Sequence, residues 1–162
     1  MKLGNWQHLI QKCARLNHRV GLVESLTGGL VGYMLIQHSG ASQVVAGSLV
    51  AYTLETKTRL LEIPEDVLQD GVNPDVAFWM AQKARVLFDS NWGLGITGFA
   101  GPLGGNPKEP VGAAYLAISG PISLVQRQVF NGERHEIQFQ VALEILRLWE
   151  FCLDRISFLG LS

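Results

Sequence analysis

The segment Glu24-Ser25-Leu26-Thr27-Gly28-Gly29 joins an apolar run of strand length, residues 20–23, to a stretch that begins at Leu30 and has apolar residues at helical spacing. The first N–H groups of a helix have no partner within the helix, and the two glycines leave them accessible to an anion or a developing oxyanion. Ser25 carries a hydroxyl that can attack a carbonyl carbon, but only with a base nearby. An ordinary helix N-cap followed by a turn gives the same pattern.

Three further polar residues, Tyr52, Lys57 and Thr97, also lie near the ends of predicted strands. The carboxyl ends of strands in an open α/β sheet form the usual ligand crevice, so these side chains meet Ser25 if their strands are neighbours. A lysine that burial keeps neutral can act as base to a serine, and a tyrosine can relay a proton or orient the lysine. The alternatives are a solvated helix position for Lys57 and an amphipathic residue at a sheet margin for Tyr52.

The composition excludes several classes of protein. A length of 162 residues and 48% hydrophobic content suit one globular domain, residues 1–162, whose core needs no disulfide or metal. The net charge is −1, the pI is about 6.4, and no basic run is present, which argues against nucleic-acid binding. The apolar runs are of strand length and no signal sequence precedes them, so we expect a cytoplasmic protein without membrane contact.

Neither the cysteines nor the histidines follow a metal-binding pattern. Cys13 and Cys152 each fall on the apolar face of a predicted helix, where a cysteine acts as a small hydrophobic residue. The histidines are His8, His18, His38 and His135. They lack the i, i+4 spacing of a metal-binding helix, so we predict no metal site.

Hydrophobic periodicity predicts helices that alternate with strands and then a hairpin. The predicted strands cover residues 20–23, 44–52, 92–97, 111–118 and 122–130. This order favours an α/β fold, a layered α/β/α domain with a mixed, partly parallel sheet. The strand at 44–52 is apolar on both faces, which predicts that both faces are covered.

Two other segments carry expectations about function and assembly. The loop at 98–110 is rich in glycine and proline and joins two strands, and loops of this length in a compact domain are often functional. The last helix has an apolar stripe wider than one face, formed by residues 137–153. Packing against a second copy of the chain in a homodimer explains that width, and so does full burial within one chain.

Three separated motifs resemble those of the CinA C-terminal family. They are residues 24–29, 51–57 and 96–102, followed by Gly104-Gly105 and by 108–112. The resemblance covers nearly the whole chain, in the family's order and spacing. It implies an amidohydrolase of NAD recycling that converts nicotinamide mononucleotide (NMN) to nicotinate mononucleotide and ammonia. A small pyridine nucleotide is then the partner, and no metal or other cofactor is implied.

The resemblance also implies roles for single residues. Ser25 is the nucleophile that attacks the carboxamide carbon, and Lys57 and Tyr52 serve as its base and proton relay. Arg134 is expected to meet the phosphate, since its donors form a fixed fork; a surface residue at a helix start is the alternative. The remaining expected substrate-binding residues are Thr27, Gly28 and Gly29 as helix-terminal donors, and Thr97, Gly101, Gly104 and Gly105 as the lining of the nucleotide site.

Three positions depart from the family's pattern. Leu26 replaces a cysteine, Asn73 a serine and Gln138 a second arginine, and the last change removes a full charge. The leading hypothesis is an NMN amidase. A catalytically silent module of the same fold that binds a nucleotide or a protein is the second, and an amidase for another carboxamide is the third.

Overall fold

The computed structural model describes residues 4–160, apart from the side chain of Ser157. Its centre is one five-stranded sheet in the order β2-β1-β3-β4-β5. The strands are β1 Val20–Glu24, β2 Val45–Val50, β3 Trp92–Gly98, β4 Ala113–Ser119 and β5 Leu124–Val129. β1 runs parallel to β2 and β3, whereas β4 is antiparallel to β3 and to β5. The predicted α/β fold with a mixed sheet is therefore confirmed.

Seven helices surround the sheet in the described part of the chain. They are α1 Gln7–Arg15, α2 Leu30–Ile36, α3 Ala41–Val44, α4 Leu54–Leu61, α5 Glu65–Leu68, α6 Pro74–Phe88 and α7 Arg134–Leu159. Helices α1, α2 and α7 share one apolar core with one face of the sheet, while α6 packs on the other face. The sheet is thus the middle of three layers.

Helix α6 lies very close to β3 because two glycines of that strand face it. A Cβ atom at Gly93 would stand 1.9 Å from the Ala81 carbonyl oxygen, and one at Gly95 would stand 2.2 Å from that of Ala77. The helix starts at Pro74 because Asn73 is its N-cap and accepts a hydrogen bond from the Val76 N–H at 2.9 Å. Asparagine thus performs a capping function that serine also performs.

The structure corrects the sequence interpretation of β2 and shows how the α7 stripe packs within one chain. The predicted strand at 44–52 is shorter, is preceded by the short helix α3, and forms an edge of the sheet, so it is only partly covered. Its β-branched and apolar residues resemble those of a central strand, which hid the edge position. The wide stripe of α7 is largely buried in the chain's own core, including Leu146, Trp149 and Leu153. The homodimer stays a prediction.

No helix within residues 4–160 is both long enough and apolar enough to cross a bilayer.

Candidate active site

Ser25 lies directly after β1, at the carboxyl end of the three parallel strands. Its backbone N–H donates to the Ile96 carbonyl oxygen of β3 at 3.0 Å, which fixes the residue over the centre of the sheet. The residue is only 5% exposed. This position matches the crevice that an open α/β sheet presents to a ligand.

Lys57 brings its amine to the Ser25 hydroxyl from the neighbouring helix α4. The Lys57 Nζ atom lies 2.9 Å from Ser25 Oγ and donates to the Tyr52 carbonyl oxygen at 3.4 Å. The α4 helix is held by Thr53, whose hydroxyl accepts a hydrogen bond from the Thr56 N–H at 3.1 Å. The Lys57 side chain is buried, with an exposure of 3%. The alternative of a solvated helix position, which the sequence had left open, is therefore excluded.

Burial lowers the pKa of Lys57 from 10.5 to about 8. The cause is desolvation, which disfavours the charged amine. A measurable share of Lys57 is then neutral near pH 7–8 and can accept the proton of a hydroxyl 2.9 Å away. A serine beside such an amine has the base that it lacks on its own.

A pocket of about 340 Å³ opens over this pair. Among its lining residues are Ser25, Tyr52, Lys57, Thr97, Gly101 and Arg134. The structure therefore gathers residues from three of the sequence motifs and from the start of α7 around one cavity. Thr97 is buried, and its hydroxyl donates to the Gly71 carbonyl oxygen at 2.6 Å, so it braces the pocket wall.

Tyr52 and Arg134 form the mouth of the pocket. The Tyr52 side chain is 55% exposed, and its hydroxyl accepts a hydrogen bond from Arg134 Nη2. Arg134 Nη1 also donates to the Gly101 carbonyl oxygen at 2.6 Å, which ties the glycine-rich loop to α7. Tyr52 thus contacts Lys57 through its backbone oxygen, whereas its hydroxyl contacts Arg134. The proton-relay role of Tyr52 stays a prediction.

The donors at the start of α2 are already occupied, which corrects the role expected for Thr27, Gly28 and Gly29. The carboxylate of Glu24 accepts hydrogen bonds from the Thr27 hydroxyl at 2.7 Å and from the Gly29 N–H at 3.1 Å. The Gly28 N–H donates to the backbone oxygen of Ser25 at 3.1 Å. A carboxylate inside the protein takes the place that the sequence analysis gave to a ligand or an oxyanion.

The second half of the glycine-rich loop also lies elsewhere than expected. Gly101 lines the pocket, but Gly104 and Gly105 do not. A Cβ atom at Gly105 would lie 3.1 Å from the Glu109 carbonyl oxygen, so this glycine serves close packing within the loop. Leu103 lines the pocket instead and is 89% exposed.

Sequence reasoning missed Glu24 although the signal was present. An acidic residue at the end of an apolar strand, immediately before a glycine-rich helix start, stands where it can reach the free N–H groups of that helix.

Two of the residues that depart from the family's pattern, Leu26 and Gln138, are in contact. Gln138 Nε2 donates to the backbone oxygen of Leu26 at 2.7 Å, so Gln138 supports the turn that follows Ser25.

Comparison with known proteins identifies the family. The family model of the CinA C-terminal domain matches residues 5–153. The chain belongs to the CinA C-terminal family. A CinA-like protein of Prochlorococcus marinus is 36% identical over 149 aligned residues, and the match covers 86% of this chain and 34% of the relative. One of Anaeromyxobacter sp. (strain K) is 38% identical over 148 aligned residues, and the match covers 90% of this chain and 36% of the relative. The chain therefore spans about a third of the length of these CinA-like relatives.

Solved structures of the CinA superfamily share the fold. The competence/damage inducible protein CihA of Agrobacterium tumefaciens aligns with a TM-score of 0.83 and 29% identity, over 91% of this chain and 92% of that one. The competence or damage-inducible protein of Enterobacter asburiae aligns with a TM-score of 0.89 over 94% of this chain and 99% of that one. The second has 22% identity, so it supports the fold alone.

Proposed function

We propose that this CinA-family chain is an amidohydrolase that converts NMN to nicotinate mononucleotide and ammonia. The observation that carries the proposal is the buried pair of Ser25 and Lys57, whose Oγ and Nζ atoms lie 2.9 Å apart at the base of a pocket. Burial of an amine costs stability, and groups whose pKa is shifted by burial are concentrated at functional sites, where a neutral amine can activate a nucleophile.

The proposed reaction has two halves that pass through an acyl-enzyme. Neutral Lys57 takes the hydroxyl proton as Ser25 Oγ attacks the carboxamide carbon, and the carbonyl oxygen becomes an oxyanion. The protonated Lys57 then gives its proton to the departing NH₂ group, and ammonia leaves. In the second half Lys57 takes a proton from water, the hydroxide attacks the ester, and Ser25 recovers its proton as the acid is released.

The N–H groups at the start of α2 already donate to the Glu24 carboxylate. The oxyanion therefore needs other hydrogen-bond donors. Leu26 follows the nucleophile and lines the pocket. Within residues 4–160, its backbone N–H has no hydrogen-bond acceptor. The N–H of the residue after a nucleophilic serine on a strand-to-turn junction is a recurrent oxyanion donor. We therefore assign this role to the Leu26 N–H.

Ammonia release from NMN by the purified protein tests the proposal directly. The expected result is release that is matched mole for mole by nicotinate mononucleotide. Nicotinamide riboside and free nicotinamide run in parallel show whether the phosphate contributes. If the folded protein releases no ammonia from NMN at any pH between 6 and 9, the assignment as an NMN amidohydrolase is wrong.

The pH dependence follows from the state of Lys57. Its amine must be neutral to accept the Ser25 proton, and its pKa is about 8. The rate of the first half-reaction should therefore rise roughly tenfold per pH unit below pH 8 and level off above it. Burst-phase or single-turnover kinetics of ammonia release between pH 6 and 10 measure this profile. A rate that is flat from pH 6 to pH 8 would exclude Lys57 as the base.

Arg134 is proposed to bind the phosphate of NMN. Two of its five N–H donors are used by Gly101 and Tyr52, which leaves three for a ligand. Arg134→Ala should raise the KM for NMN by about 10- to 100-fold, as expected from loss of a charge-assisted pair. Because the same variant frees Tyr52 and the loop, nicotinamide riboside serves as the control substrate. An equal loss on both substrates would contradict phosphate binding.

The catalytically silent module is kept as a second candidate because of Gln138. Its amide is used on the Leu26 carbonyl oxygen, and Lys57 and Arg134 are the only cations among the described residues that line the pocket. With one fewer positive charge than the family's pattern, the pocket holds an anionic substrate less strongly. Such a module would bind a nucleotide without turning it over.

A further inference from the structure

Glu24 is a fully buried acidic residue to which the proposed reaction gives no role. It has an exposure of 0%, and its two carboxylate oxygens accept five hydrogen bonds. The donors are the Thr27 hydroxyl at 2.7 Å, the Ser48 hydroxyl at 2.9 Å, and the N–H groups of Gly32 at 2.9 Å, Gly29 at 3.1 Å and Val31 at 3.2 Å. A buried carboxylate with this many donors is tightly held, and it holds them in return.

These bonds close a short loop of chain around the nucleophile. At one end the backbone of Glu24 is fixed in the sheet, since its carbonyl oxygen accepts from the Ala51 N–H at 2.8 Å. At the other end its side chain fixes the start of α2. The segment 25–28 between these two points contains Ser25 and Leu26. The Glu24 side chain thus bridges the strand and the helix and constrains this segment from both ends, together with the Ser25 N–H bond to Ile96 and the Gln138 bond to the Leu26 oxygen.

We propose that Glu24 is a positioning residue, which keeps the Ser25 hydroxyl at Lys57 and the Leu26 N–H at the reacting carbonyl. The inference rests on the proposed function in taking Ser25 as the nucleophile, Lys57 as its base and the Leu26 N–H as an oxyanion donor. It also explains why the acid is glutamate. The side chain must accept at both oxygens, and aspartate is one methylene too short to span from β1 to the N–H groups of α2. Glutamine would set an NH₂ group against N–H or O–H donors.

The test uses a probe that needs a reactive serine but no NMN. A small fluorophosphonate phosphonylates an activated serine and displaces fluoride, and intact-mass spectrometry follows the labelled fraction with time. We expect Glu24→Gln to reach the same final labelled fraction as the wild type, with a rate constant about 10²-fold lower, as for a nucleophile displaced by about 1 Å. Peptide mapping should place the label on Ser25.

A second buried glutamate provides the matched control. Glu109 accepts from Arg127 Nε at 3.0 Å and also from the Tyr115 hydroxyl, and it does not line the Ser25 pocket. Glu109→Gln should cost stability but leave the labelling rate constant within about twofold of the wild type. If Glu24 were merely structural, Glu24→Gln would lower the final labelled fraction and leave the rate constant unchanged, which would overturn the proposal.

If Glu24→Gln does not fold, Ser48→Ala tests the positioning role of Glu24 instead. It removes one of the five donors, from the neighbouring strand β2, and leaves the carboxylate in place. The labelling rate constant should fall by about fivefold. An unchanged rate constant in this variant would overturn the proposal.

The two proposals fail in different ways. A wild-type protein that labels on Ser25 but releases no ammonia from NMN refutes the substrate and leaves the role of Glu24 intact. Labelling of Glu24→Gln at the wild-type rate refutes the role of Glu24 whatever the substrate is. If Ser25 of the wild-type protein is never labelled, its assignment as the nucleophile is refuted, and so is the proposed role of Glu24.

Discussion

Replacing Lys57 by methionine is expected to reduce ammonia release from NMN by about 10²- to 10⁴-fold while raising the stability of the fold. The activity falls because no other amine lies within hydrogen-bond distance of Ser25 Oγ among the described residues. Methionine matches the length of the lysine stem, so the pocket keeps its shape. Steady-state kinetics on NMN at pH 8 measure the loss, which should appear in kcat and only weakly in KM.

The gain in stability follows from the sign of the pKa shift. Burial lowers the Lys57 pKa from 10.5 to about 8, so the charged amine is less stable in the folded chain than in the unfolded chain. Below pH 8 the folded protein bears the full cost of burying the charge, about 3 kcal/mol, since one pKa unit corresponds to about 1.4 kcal/mol. The cost disappears as the pH rises from 8 to 10.5. The advantage of Lys57→Met should thus be largest at pH 7 and small at pH 10.5.

Thermal unfolding of both proteins at pH 7 and pH 10 measures this difference. Lys83→Met is the matched control, because Lys83 lies on a helix and pairs with the exposed Glu62. Surface pairs of this kind contribute little, so its Tm should stay near the wild-type value at both pH values. A Lys57→Met protein that melts below the wild type at pH 7, or that keeps its activity, would contradict a buried catalytic amine.

The sequence predicted the part of the site that depends on topology. Ser25 directly follows β1, and Thr97 is the last residue but one of β3. These two strands pair in parallel, so residues at their carboxyl ends converge. Lys57 is five residues beyond Tyr52 on a helix that Thr53 caps, so local rules also placed its element correctly. The burial of Lys57 was not predictable from these rules, since it depends on how α4 packs beside β1.

The sequence did not predict which polar groups form hydrogen bonds with each other or how the strands are ordered. Local sequence marked the start of α2 as rich in free donors, but it did not show that the Glu24 side chain, rather than a ligand, meets them. The direction of the Tyr52 hydroxyl was equally undetermined, because its partner Arg134 is 82 residues away in the chain. The position of β2 at the edge of the sheet could not be predicted either, because strand order depends on how all the strands pair.

Ser25→Ala is expected to abolish ammonia release, with a loss of about 10⁴-fold or more, because no acyl-enzyme can form. It should still bind NMN, since the pocket and Arg134 are unchanged. Ammonia assays measure the first quantity and isothermal titration calorimetry the second. Ser123→Ala, in the turn between β4 and β5, is the control and should have wild-type activity.

This variant separates the two functions that fit the pocket. For an amidase, Ser25→Ala converts a protein that consumes NMN into one that only binds it, so calorimetry shows simple saturation where the wild type shows the continuing heat of turnover. For a silent module, wild type and variant bind alike and neither releases ammonia. The buried Lys57 argues for the first outcome, because a pKa lowered to about 8 weakens the positive charge that nucleotide binding would use and supplies the neutral amine that a serine nucleophile needs.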